Sequence, residues 1–127
     1  MTRQDQQAFW VPDRGEVVWI DHNSQAGREM RNHHPFLVLS TAPFHQAVGL
    51  VVGCAMTTAA CNRGSSLAID LGPIPDRQGA HSFVLCHQIK SFDWRARGAR
   101  PHPMGRLGPV DLERVFEIVG QILGFCP

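Results

Sequence analysis

The opening of the chain, Met1 to Ala8, is largely polar. Turn chemistry at Val11-Pro12-Asp13-Arg14-Gly15 then leads into Glu16 to Asp21, a β-branched and aromatic run of strand length. From His22 to His34 the residues are polar and rich in His, Gly, Arg and Asn, which reads as a loop. Pro35 to Ser40 predicts a second strand, with proline at its entry, where a missing N–H does least harm. Leu50 to Met56 reads as a buried third strand that delivers Thr57 and Thr58 at its end, and Leu67 to Leu71 as a fourth. The Gly/Pro-rich stretch Gly72 to Gly79 cannot hold regular structure, and His81 to Ile89 forms a fifth strand. Gly108-Pro109 introduces the one convincing helix, in which Leu112, Val115, Phe116, Val119, Ile122 and Leu123 recur on one face; Pro109 suits its first position and Gly124 its stop.

Short strands closed by one amphipathic helix predict a mainly β fold, a small and strongly bent antiparallel sheet or barrel with the helix packed on it. At 127 residues and 43% hydrophobic content the chain can bury one core, so residues 1–127 are read as a single domain with residues 1–9 as a flexible tail. No apolar run approaches the ~20 residues that cross a bilayer, and the polar start does not read as a secretion signal. A soluble, cytoplasmic protein with no membrane partner is expected. On the same ground Cys54, Cys61, Cys86 and Cys126 are expected to be reduced. The net charge of +1 does not announce a nucleic-acid binder. Locally, however, Lys90, Arg95, Arg97, Arg100 and Arg106 stand against the single acid Asp93 between Leu85 and Arg106.

Three blocks carry a resemblance. They are Val11 to Asp21 (VPDRGEVVWID), then Gly27-Arg28-Glu29 leading to His34 to Ser40 (HPFLVLS), and Gln88 to Gly98 (QIKSFDWRARG), with Thr57-Thr58 between the second and third. In order and spacing the chain resembles the MazF/PemK family of mRNA interferase toxins over roughly residues 11 to 124. The resemblance implies an SH3-like small barrel of the MazF/PemK/CcdB toxin type and a homodimer. It also implies cleavage of single-stranded RNA to 2′,3′-cyclic phosphate and 5′-hydroxyl ends, and a cognate antitoxin that masks the RNA groove with an extended segment.

Cutting RNA without a metal requires a base for the 2′-hydroxyl proton, an acid for the leaving 5′-oxygen, and donors for the charge that develops on the phosphorane. In the family the position before the proline of the second strand is usually an Arg, and here it is His34. The position before the glutamine of the third block is usually an Asp, and here it is His87. Histidine, with an ordinary pKa of about 6.5, suits proton transfer near neutral pH. The resemblance therefore implies that His34 and His87 divide the proton transfers, with Glu29 as an alternative base. Thr57 would hold the scissile phosphate, Arg28 or Arg31 would supply positive charge, and Thr58 would assist binding.

Strand alternation leaves His87 facing either the groove or the core. Arg95 and Arg97, spaced alternately about Trp94, suit a structural turn better than RNA contacts. Seven histidines and four cysteines raise a metal site, but no C-x-x-C pair or helical H-x-x-x-H spacing occurs, so no metal or other cofactor is assigned. Two other functions compete. The loss of Arg and Asp at the aligned positions would suit a catalytically silent homologue that binds antitoxin or RNA, and related barrels include toxins that act on a protein target.

Overall fold

The computed structural model describes residues 10–22 and 33–125; the tail expected over residues 1–9 lies outside them. Along β1 (Glu16–Asp21), Val17 is buried on one face of the sheet and Val18 and Ile20 on the other. The same division recurs in β2 (His33–Val38), where Leu37 opposes Phe36 and Val38. Alternation of period two normally marks a half-buried strand. Here both phases are apolar, so both faces are covered and two cores form. The remaining elements are α1 (Ala42–Val48), β3 (Leu50–Thr57), a single 3-10 turn (Ala60–Asn62), β4 (Ala68–Pro73), β5 (His81–Asp93), β6 (Arg100–Arg106) and α2 (Pro109–Leu123).

The six strands form one sheet in the order β4-β5-β3-β2-β1-β6, and every neighbouring pair is antiparallel. Register shifts between Glu16 and Val18, Cys54 and Met56, and Asp70 and Pro73 bend the strands. The sheet curls into a half-barrel with β4 and β6 at its two edges, the curled, mainly β architecture expected. One core packs Leu37, Cys54, Met56, Val84 and Cys86 beneath Val115 and Val119 of α2. The other gathers Val18, Ile20, Phe36, Val38, Val51, Phe92 and Trp94. Each fully buried side chain of this size contributes roughly 1.5–3 kcal/mol.

The long helix begins at Pro109 after Gly108 and stops at Gly124, in the left-handed conformation, as the pattern predicts. The sequence reading missed α1. Seven residues are too few for periodicity to show, and a helix this short depends on tertiary contacts. His45 supplies them. Its ring is fully buried, with Nδ1 on the Pro12 carbonyl and Nε2 on the Ser40 hydroxyl, and its carbonyl accepts the Trp94 indole N–H at 3.3 Å. An N–H must face a carbonyl, so Nδ1 donates and Nε2 accepts in the neutral ring.

β6 was also missed. Its Pro101, Pro103 and Gly105 are uncommon inside a sheet, but an edge strand tolerates proline because one side needs no N–H. The second strand begins at His33 rather than Pro35, which moves both histidines out of the loop and onto the sheet. Among the described residues, no helix is long and apolar enough to cross a membrane.

Candidate active site

In the β1–β2 pair, Ile20 lies opposite His34 and Asp21 opposite His33. His34 therefore shares the face of Ile20 and Phe36 and is exposed where that face meets solvent. Across to β3, Phe36 pairs with Ala55, and carrying the antiparallel register on by two residues brings Thr57 level with His34 on the same face. Lys90 of β5 pairs with Gly53, four residues back from Thr57 along that face of β3, and is exposed. A hydroxyl, an imidazole and an ammonium thus share one face of the curled sheet.

The imidazole in ring contact with His34 is His22, not His87. Their centroids are 5.5 Å apart, edge to face. His22 follows β1 and rests on Phe36 (5.9 Å) and Phe92 (5.1 Å), which touch each other at 5.3 Å. Burial lowers its pKa from 6.5 to about 4, with the neighbouring His34 and Lys90 adding to the effect. At neutral pH it is uncharged. Among the described residues neither its buried Nε2 nor His33 Nδ1 has a hydrogen-bond partner.

The turn after β5 fixes this corner. Asp21 N–H donates to the Arg97 carbonyl at 3.1 Å, and Arg97 Nη1 donates to the Asp21 carbonyl at 3.2 Å. The Arg97 guanidinium lies over Phe92 at 5.0 Å, and that of Arg95 over Trp94 at 4.1 Å. Gly98, with φ 63°, leaves room for the His33 ring, which would stand 3.1 Å from an added Cβ. The QIKSFDWRARG block is in this respect a brace, as its spacing suggested. It ties β5 to the end of β1 and so holds the floor under His34.

The other candidates are dispersed. Thr57 is half-buried, and its Oγ1 accepts the Ala59 N–H at 3.2 Å, which leaves its O–H free to donate to a ligand. Thr58 is exposed and turns elsewhere, onto a cleft of about 620 Å³ walled by Trp19, Pro35, Leu71, Ile74 and Met104. His87 is exposed on β5 in the stretch where pairing with β3 slips between Ile89 and Val84, so it points away from the core. Arg28, Glu29 and Arg31 lie outside the described residues.

Cys54, Cys61 and Cys86 are free thiols. Burial pushes Cys54 up to about 12 and Cys86 up to about 11. Among the described residues, no group of three or more His, Cys, Asp or Glu is placed to hold a metal ion.

His34, Thr57 and Lys90 thus sit on one face of a curled antiparallel half-barrel capped by a C-terminal helix. Residues 13–123 match the family model described as the PemK-like, MazF-like toxin of type II toxin-antitoxin systems, and the chain belongs to that family. It is 30% identical over 115 residues to the endoribonuclease toxin MazF of Escherichia coli K12, spanning 91% of this chain and 96% of that protein. The endoribonuclease PemK of Escherichia coli is 28% identical over 88% of this chain and 77% of its own length. Among solved structures, MazF from Deinococcus radiodurans superposes with a TM-score of 0.72 at 32% identity, covering 91% of this chain and 98% of that one. A MazE–MazF complex from the same organism gives 0.71 at 29% identity, covering 91% and 97%.

Proposed function

We propose that this chain is an endoribonuclease that cuts single-stranded RNA without a metal, leaving 2′,3′-cyclic phosphate and 5′-hydroxyl ends. The observation that carries the reading is the placement of His34 and Thr57 on one face of adjacent strands, with Lys90 further along the same face. In this reading the Thr57 hydroxyl binds the scissile phosphate and Lys90 offsets the charge that develops on it. His34 protonates the leaving 5′-oxygen. The base is Glu29 or His87, and Arg28, Arg31 and Thr58 bind the strand further out.

The relatives named endoribonuclease support this activity, and their family supports a toxin held in check by an antitoxin. The cleft beside Trp19 has mainly apolar walls that would take side chains of an extended antitoxin segment. A homodimer fits the second groove, of about 400 Å³, between α2 and the sheet, where Leu123 and Phe125 stand exposed.

The test is to incubate purified protein with a long single-stranded RNA in excess EDTA and map the cut ends by primer extension. Discrete cuts are expected, and His34→Ala should lose ~10²-fold or more in rate while keeping its fold. A His34→Ala protein within threefold of wild type would sink the assignment. Histidine at both the usual Arg and Asp positions motivates one rival, a silent homologue, which would bind the RNA and leave it whole.

A further inference from the structure

The proposed reaction gives His22 no task, yet its placement is costly. A ring nitrogen is buried with no hydrogen-bond partner among the described residues, and two phenylalanine rings hold the imidazole there. A phenylalanine or leucine would fill that cage without leaving a polar atom unmet. What distinguishes the position is the ring contact it makes with His34.

We propose that His22 is a positioning residue for His34: clamped on Phe36 and Phe92, its ring is the wall that aligns the His34 imidazole. This deepens the ribonuclease reading and rests on it.

Two observations converge on the proposal. The first is mechanical. Phe36 belongs to β2 and Phe92 to β5, and Phe92 is capped by Arg97, whose backbone and guanidinium are tied to Asp21. The His22 ring is held between two strands, whereas His34 projects into solvent with that ring against it. An exposed histidine used for proton transfer must be kept in one orientation, because a small misplacement of the reacting atom is expensive in rate.

The second is electrostatic. Among the described residues, the charged and titratable groups facing His22 are Asp21 at the end of β1, His34 on β2, Lys90 on β5 and Arg97 in the following turn. Of these, Asp21 favours a proton on His22; His34, Lys90 and Arg97 oppose one, and burial opposes it most. The pocket therefore keeps His22 uncharged, a fixed wall rather than a second proton carrier.

The test uses the full chain with His22→Phe, His22→Ala and His22→Asp, read by pH–rate profiles of RNA cleavage in EDTA and by NMR titration of the His34 ring without RNA. His22→Phe keeps the wall and should stay within about threefold of wild type, with the alkaline limb of its profile unmoved. His22→Ala removes the wall, and its kcat should fall ~10-fold or more with KM little changed in a protein that still melts cooperatively. His22→Asp places a carboxylate against His34, and should raise the His34 midpoint and the alkaline limb together by about one pH unit or more.

A residue that only fills space would move neither the midpoint nor the limb. Loss of ~10²-fold in His22→Phe would overturn the proposal by making His22 a proton carrier itself. An unmoved His34 midpoint in a folded His22→Asp protein would overturn it by denying the coupling. RNA cleavage indifferent to all three variants would remove the positioning role and leave the ribonuclease intact. Folded wild-type protein that cuts no RNA would remove both, whatever the titration shows.

Discussion

The acid response of the molecule should pass chiefly through His22, with His102, whose pKa burial also lowers, acting in the same direction. His22 binds a proton at about 4 in the folded protein and near its ordinary 6.5 once unfolded. Between those values the unfolded state holds more protons, so stability rises with pH across the window and falls on acidification from 6.5 towards 4. The residue is only half-buried, and solvent screening holds the effect to ~1 kcal/mol. His22→Phe should flatten the thermal midpoint measured between these pH values; an unchanged slope would place the sensitivity elsewhere. Asp13 acts lower on the scale. The N–H groups of Arg14 and Ala42 hold its carboxyl below 3.8, so its contribution is present above that value and is lost only below it.

The thiols make a second prediction at this scale. Cys54 and Cys86 are buried and their pKa values are raised, whereas Cys61 is exposed in the 3-10 turn. Of these three, iodoacetamide on native protein should label Cys61, as read by peptide mapping, because the thiolate is the nucleophile. Labelling of Cys54 at the rate of Cys61 would contradict the packing of the core under α2.

How much of the site was legible differs residue by residue. His34 and Thr57 are visible in the sequence because motif blocks flank them. His22 is not visible, because it meets His34 only through the β1–β2 register, and a connection as long as 23–32 leaves that register open.

Among the elements, β3 depends most on one residue. A Cβ at Gly53 would stand 1.9 Å from the Leu37 carbonyl oxygen and 3.0 Å from the Phe36 ring. Backbone of β2 cannot yield that distance without breaking the ladder. Gly53→Ala should therefore cost ~1–3 kcal/mol or more in chemical denaturation. A loss below half a kcal/mol would show that β2 and β3 can part there. The expected strands and the long helix were legible because their apolar runs are long, and Gly108-Pro109 and Gly124 punctuate the helix. α1 and β6 were not legible for opposite reasons. One is too short for a period to appear, and the other is an edge whose prolines mimic a loop. β5 runs on to Asp93, past the expected end at Ile89, because Leu50 to Gly53 supply a partner for its polar second half.

For the whole molecule, the fold class and family follow from a few blocks, since a curled sheet with one helix and three ordered motifs leaves little room for another architecture. Assembly is the less legible property. Ile122, Leu123 and Phe125 are exposed at the end of the helix, Phe125 to 82%, and Leu123 and Phe125 border a groove beside the sheet. If this face joins two copies, Leu123→Asp should shift the mass measured by light scattering from dimer to monomer. A wild-type monomer at micromolar concentration would discard the homodimer.

The measurement that bears most directly on the account is the chemistry of the cut ends. Single-stranded RNA would be digested by wild-type protein in excess EDTA and the fragments weighed by mass spectrometry. The account predicts 2′,3′-cyclic phosphate on each upstream fragment and a 5′-hydroxyl on each downstream one, with both species lost in His34→Ala. Fragments carrying 5′-phosphate, or cleavage that appears only when a divalent metal is restored, would contradict it.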